Sequence, residues 1–161
     1  MNVIREEERG VLVRAVLAAL VAAIAGGVVW GLIVKWSDYE VGFVAWAIGF
    51  LVGIAVLTAT GGRRGISLQG IAISFSLVGI LIGKYLSYAW VLQEVAEEET
   101  GGALDISVFS RDTVDFFRED LGEVFGWIDL LWAGLAVVTA WKALAPEEPQ
   151  PEPAAGPTDR S

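Results

Sequence analysis

Residues 38–65 read DYEVGFVAWAIGFLVGIAVLTATGGRRG, and this stretch decides the fold. The apolar run 41–60 lies between an acidic turn and a turn that carries two arginines. A helix of about 20 apolar residues, rising about 1.5 Å per residue, crosses a hydrocarbon core of about 30 Å. The stretch therefore predicts a transmembrane helix over 41–60.

Small residues recur at every fourth position inside this run, at Ala45, Gly49 and Gly53. Residues spaced in this way share one face of a helix. Lipid gives no hydrophobic reward for helix association, so a face without bulky side chains lets a neighbouring helix approach closely instead. We therefore expect Ala45, Gly49 and Gly53 to form a helix-packing face.

The composition of the whole chain is that of a membrane protein. Its 161 residues are 55% hydrophobic, and the mean hydropathy is +0.58. Histidine and cysteine are absent, which excludes disulfides, thiol chemistry and an ordinary zinc site. With a formal net charge of −9, nucleic acid is not an expected partner. We expect no metal and no cofactor.

Three further apolar runs cover 11–34, 66–92 and 125–144. The first continues into Lys35 and Trp36 without a small-residue cleavage site, so we expect a retained span rather than a signal peptide. Its rows of alanine and glycine are expected to pack against the glycine face of 41–60. The sequence therefore predicts an all-α fold, a four-transmembrane-helix bundle over 11–145 that follows a short N-terminus, 1–10.

The segment 93–124 is strongly acidic and is expected to lie outside the membrane. Its first part should continue the third helix to the glycines at 101–102. A short amphipathic helix should follow, capped by Ser110 or Asp112 and lying along the membrane interface. A solvated acidic face explains the carboxylates better than a calcium site, because the residue order of an EF-hand loop is missing. The Pro/Glu-rich tail 146–161 is expected to be disordered.

Lys84 is the least expected residue of the third run, about 13 Å before the helix end near Gln93. An ionisable group inside a membrane is a functional candidate by default. The alternatives are snorkelling to the interface and a structural pairing with a carboxylate or a backbone carbonyl, which we favour. Asp129 and Glu40 enter the membrane from the same side, so both are candidate partners of Lys84. Gly79 and Gly83 form a second helix-packing step beside it.

The basic residues predict the orientation. Most lie on one side of the four-span arrangement, and the positive-inside rule places that side in the cytoplasm. We therefore expect a multi-pass protein of the bacterial inner (plasma) membrane, with both termini cytoplasmic and the acidic segment external. These basic residues are Arg5, Arg9, Arg14, Arg63, Arg64 and Lys142.

Two short motifs carry a family resemblance. Tyr-Glu-Val-Gly at 39–42, with the glycines that follow it, and Gly-Lys-Tyr at 83–85 resemble a hairpin module of small, uncharacterised bacterial integral membrane proteins. The resemblance covers the first three spans. It implies a bacterial membrane origin and a hairpin core, and it implies no reaction.

Two functions are consistent with these patterns. The first is a non-enzymatic assembly or scaffold subunit that binds the lipid bilayer and associates with itself or with other membrane subunits. The second is a small oligomeric ion channel or transporter that uses Lys84, Asp129 and Glu40. An enzyme is the weakest interpretation, because the sequence shows no nucleophile–base constellation and no phosphate-binding loop.

Overall fold

The computed structural model describes residues 2–37, 42–101 and 107–146. Within these residues the chain is helical and contains no strand, so the predicted all-α class is confirmed. Glu40 and the tail beyond residue 146 lie outside the described residues. The described helices are α1 (Asn2–Ser37), α2 (Phe43–Ala59), α3 (Ile66–Thr100), α4 (Arg111–Glu119), α5 (Leu121–Val124) and α6 (Trp127–Ala143).

Two helix ends coincide with glycines that take left-handed backbone angles. After α2, Gly61 and Gly62 have φ of 67° and 80°, and α3 is followed by Gly101 with φ of 59°. A residue without Cβ adopts these angles at little steric cost, which ends a helix sharply. The first turn reverses the chain between α2 and α3. The second stops α3 eight residues beyond the predicted end of its span at 92.

Helices α1 and α3 pack side by side and run in the same direction. Gly27 lies against Gly79 and Ile82, and further along both helices Gly31 lies against Leu86 and Trp90. A Cβ at Gly27 would come within 2.7 Å of the Gly79 carbonyl oxygen. Close backbone approach is therefore what joins α1 to α3.

Helices α2 and α6 form a second parallel pair. Gly49 lies against the backbone of Ala136, and one turn later Gly53 lies against Ala140 and Ala143. The pairing of the glycine face of α2 with α1, expected from the sequence, is wrong. Small residues on both helices allow the closest contact, so this face packs on α6, while Ala45 is buried in the core.

The two parallel pairs together form a four-helix bundle. Helix α2 also packs antiparallel to α1, where Gly26 meets Ile48 and Leu51, and α3 contacts both α2 and α6. Of the described helices, α1 and α3 are long and apolar enough to cross a membrane, and α2 is a shorter apolar helix. Large apolar side chains remain exposed along the outer faces of α1, α2, α3 and α6.

The α2–α3 turn donates hydrogen bonds to the C-terminal end of α6. The Arg64 guanidinium donates to the carbonyl oxygens of Ala143 (3.0 Å) and Ala145 (3.2 Å), and the Gly65 N–H donates to that of Leu144 (3.2 Å). Inside this end, the buried Gln69 amide donates to the Trp141 carbonyl oxygen at 3.1 Å. The last carbonyls of a helix lack intrahelical partners, so this turn satisfies them and fixes α6 in the bundle.

Candidate site at the Lys84–Asp129 ion pair

Helix α3 places Lys84 inside the bundle, facing the beginning of α6. Only 2% of the residue is exposed. Its ammonium lies 2.9 Å from Asp129 Oδ1 and donates to the Val124 carbonyl oxygen at 3.0 Å. A charge removed from solvent in this way requires an opposite charge and further hydrogen bonds to persist. Asp129 and the end of α5 provide both.

Asp129 lies in the first turn of α6, and the local structure holds its carboxylate in place. One oxygen faces Lys84, and the other accepts a hydrogen bond from the Gly126 N–H at 2.9 Å. The positive end of the helix dipole also stabilises a carboxylate in this position. The side chain of Asp129 is 15% exposed, so this partner of the pair is nearer to solvent.

Aromatic rings form two walls around the ammonium. The Trp30 ring centroid lies 5.9 Å from Lys84 Nζ, and that of Phe125 lies 5.6 Å away. Trp30 packs against Gly83, where a Cβ would approach its ring to 2.9 Å. Trp30 is only 1% exposed, because Gly83 leaves room for its ring inside the bundle.

The segment that contains α4 and α5 is hydrogen-bonded to α3 through Tyr85 and Tyr88, within about one turn of Lys84. The Tyr88 hydroxyl donates to Asp120 Oδ2 at 2.6 Å, and the Tyr85 hydroxyl donates to the Val108 carbonyl oxygen. Phe117 packs edge-on against both tyrosine rings, with centroid distances of 5.2 and 5.5 Å. The segment that joins α3 to α6 therefore docks on α3 at the level of the ion pair.

The amphipathic helix predicted after residue 110 corresponds to α4. Ser110 caps it, because its Oγ accepts a hydrogen bond from the Thr113 N–H at 3.2 Å. Within α4, Phe117 is buried and Val114 is exposed, and Leu121 of α5 is exposed as well. The chain breaks at Asp120, where the separate helix α5 begins.

A cavity of about 330 Å³ adjoins the ion pair. It shares the lining residues Val34, Ser87 and Val91 with a neighbouring groove of about 400 Å³. The inner cavity has the polar side chains of Lys84, Ser87, Tyr88 and Glu123 in its lining. The outer groove adds Lys35, Trp90, Gln93, Glu94 and Glu97. Polar groups therefore extend from the acidic end of α3 to the buried lysine.

The structure brings together Lys84 and Asp129, whereas Glu40 lies outside the described residues. Gly79 and Gly83 face α1, through Ala23 and Trp30. Sequence reasoning missed Trp30 as a neighbour of Lys84, and it did not identify Val124 as the residue whose backbone carbonyl accepts from the lysine. The glycine next to Lys84 was a sequence signal that a large ring could pack beside the lysine. The carbonyl of Val124, at the end of the four-residue helix α5, has no such signal in the sequence.

The described residues contain no group of three or more His, Cys, Asp or Glu side chains placed to hold a metal ion. Comparison with known proteins gives no assignment either. No family model, curated protein or solved structure matches this chain.

Proposed function

We propose that this chain is an integral membrane protein that crosses the bilayer four times. The observation that carries the proposal is the parallel packing of α1 and α3, the two helices long and apolar enough to span. Two neighbouring helices that cross in the same direction require the chain between them to cross back. Helix α2 is that connecting helix, and α6 packs parallel to α2 along its length. All four helices therefore share one apolar layer.

The lengths of α2 and α6 set the thickness of this layer. Each has 17 residues, or about 26 Å at 1.5 Å per residue, which is close to the hydrocarbon thickness of a bilayer. Asp129 lies in the first turn of α6, so the Lys84–Asp129 pair belongs at the outer boundary of the hydrocarbon core. The rest of α3, to Thr100, extends beyond it with α4 docked at its side.

The orientation and location follow from the charges and the resemblance described above. Arg63 and Arg64 lie in the α2–α3 turn, and Arg63 forms an ion pair with Glu7 of α1 at 2.7 Å. The positive-inside rule puts this end in the cytoplasm. We place the protein in the inner (plasma) membrane of a bacterium, with both termini cytoplasmic.

Within this membrane setting, the function we propose is that of a non-enzymatic assembly subunit, which associates with itself or with other membrane proteins. The buried ion pair supports this function, because its charges join α3 to α6 and leave little exposed for chemistry. The outer apolar surface supports it as well. An apolar groove between α1 and α2, lined by Ala25, Gly26 and Ala47 among others, offers a neighbouring helix the close approach that membrane association needs.

A second candidate, an oligomeric channel or transporter, is favoured by one observation. Polar side chains line both the cavity beside Lys84 and the neighbouring groove toward the acidic end of α3. In an oligomer this polar cavity would form part of a conduction path. Polar residues that line a water-filled cavity within a membrane mark such paths.

One experiment separates these two functions. On the assembly proposal, mildly extracted protein is larger than its 17.2 kDa monomer, and reconstituted vesicles show no more ion flux than empty ones. Flux that Lys84→Met abolishes and Lys142→Met preserves would establish the channel and overturn the assembly function. The control is suitable because Lys142 is an exposed lysine of α6 that lines neither the cavity at Lys84 nor the groove beside it.

A further inference from the structure

A separate groove lies on the outer side of the α1–α3 pair, and its lining is unlike that of the cavity at Lys84. Its volume is about 460 Å³. Helix α1 lines one side of the groove and α3 lines the other, and two phenylalanines from the region of α4 complete the lining. The lining includes Ile24, Val28, Leu81, Tyr85, Phe109 and Phe117.

This groove offers no free polar group from the residues that line it. The only polar side-chain atom among them is the Tyr85 hydroxyl, which donates to the Val108 carbonyl oxygen. Water needs two to four polar partners to occupy such a space, and an apolar molecule needs none. The groove is therefore suited to a hydrocarbon chain.

An acyl chain gains little from hydrophobicity alone here, since the bilayer around it is equally apolar. The binding of an acyl chain therefore depends on van der Waals contact with side chains that are held in fixed positions, and on the contacts that the lipid head group makes. Phe117 meets the first condition, because it is 7% exposed and packs against Tyr85 and Tyr88. Phe109, just before α4, lines the groove but is 88% exposed.

The head group is selected by charge. Arg111 comes two residues after Phe109, and Arg118 directly follows Phe117. Seven residues apart, the two arginines share one face of α4. Both are exposed, and neither has an ion-pair partner among the described residues. Guanidinium groups bind phosphate through paired hydrogen bonds. Asp115 lies one turn from each arginine, and the exposed Asp112 and Glu119 are their sequence neighbours, so these carboxylates compete with a phosphate for the two arginines.

We propose that this groove binds one acyl chain of a phospholipid whose negatively charged head group lies at Arg111 and Arg118. The site rests on the proposed function, because it requires the α1–α3 face to lie in lipid. Phosphatidylglycerol has this chemistry, whereas phosphatidylcholine has the same chains and no net charge. The two lipids therefore separate the contribution of the groove from that of the arginines.

The test is native mass spectrometry of protein released from nanodiscs that contain equal amounts of the two lipids. We expect the wild-type chain to retain one phospholipid, with phosphatidylglycerol favoured several-fold. Val28→Phe fills the groove and should remove most of the retained lipid. Val21→Phe is the matched control, because Val21 is an exposed residue of the same helix outside the groove, and it should retain lipid like the wild type.

The charge variants test the second half of the site. Arg111→Gln with Arg118→Gln should keep the retained lipid but abolish the preference for phosphatidylglycerol, and Asp115→Asn should increase that preference. If Val28→Phe fails to fold, Leu81→Phe fills the groove from α3. The site is wrong if the wild type retains no lipid, or if groove variants retain as much as the control. A wild-type chain that does not enter nanodiscs would refute the membrane proposal itself.

Discussion

Asp129→Leu is expected to lower the free energy of unfolding by about 3–5 kcal/mol, the usual loss when one partner of a buried ion pair is removed. The substitution takes away the carboxylate 2.9 Å from an ammonium that is 2% exposed. The remaining hydrogen bond to the Val124 carbonyl oxygen cannot neutralise its charge. Unfolding of the detergent-solubilised protein by sodium dodecyl sulfate, followed by circular dichroism, measures the loss.

Lys84→Met should cost less than Asp129→Leu. Asp129 keeps the Gly126 N–H, the end of the α6 dipole and partial access to solvent, all of which stabilise its negative charge. The double variant should recover most of the stability, because two apolar residues replace the whole pair. Strictly additive losses in the double variant would show that the contact at 2.9 Å carries no coupling, and equal losses in the two single variants would contradict the expected difference between the partners.

Gly49→Ala should destabilise the protein by about 1–3 kcal/mol, the usual cost of overpacking a close contact. The new Cβ would lie 2.5 Å from the Ala136 carbonyl oxygen and 2.7 Å from its Cα, so the α2 and α6 backbones would have to separate. Gly53→Ala should cost less, because its nearest atom is the Ala143 Cβ at 3.0 Å. The same unfolding titration measures both losses.

Gly134→Ala on α6 is the matched control. Nothing lies within 4 Å of the Cβ that it adds. Alanine is the better helix former by up to about 1 kcal/mol, so this variant should be as stable as the wild type or more stable. The order of stability should therefore be Gly134→Ala, then Gly53→Ala, then Gly49→Ala. A Gly49→Ala variant as stable as the control would rule out the close contact between α2 and α6.

The helical class and the approximate helix positions were predictable from the sequence. The run predicted at 41–60 corresponds to α2, Phe43–Ala59, because a long apolar run between polar turns can satisfy all of its backbone hydrogen bonds within itself as a helix. The end of α3 was predictable as well, since the glycines that stop it need no tertiary contact. Four membrane crossings remain our proposal.

The pairing of helix faces was not predictable. Small residues occur in rows on α1, α2 and α3, and spacing alone does not show which row meets which. Only the three-dimensional arrangement shows that Gly49 meets Ala136, whereas Gly27 meets Gly79.

The candidate site was predictable only in part. Lys84 and Asp129 were paired in sequence because both enter from the acidic side, an argument that depends on topology alone. The burial of Trp30 depends on the space left by Gly83, and the contact with Val124 depends on a break at Asp120 that separates α4 from α5. Such details arise from tertiary packing, which local sequence patterns do not encode.

Cysteine labelling in spheroplasts tests the four membrane crossings most directly, because the chain has no cysteine of its own. Single cysteines replace exposed residues at successive helix ends, and a membrane-impermeant maleimide reports the side on which each one lies. We expect labelling of Trp36→Cys and Glu97→Cys in intact spheroplasts. Glu8→Cys, Arg63→Cys and Lys142→Cys should be labelled only after permeabilisation. Labelling of Trp36→Cys and Arg63→Cys from the same side would mean that α2 does not cross the membrane, and would contradict the account.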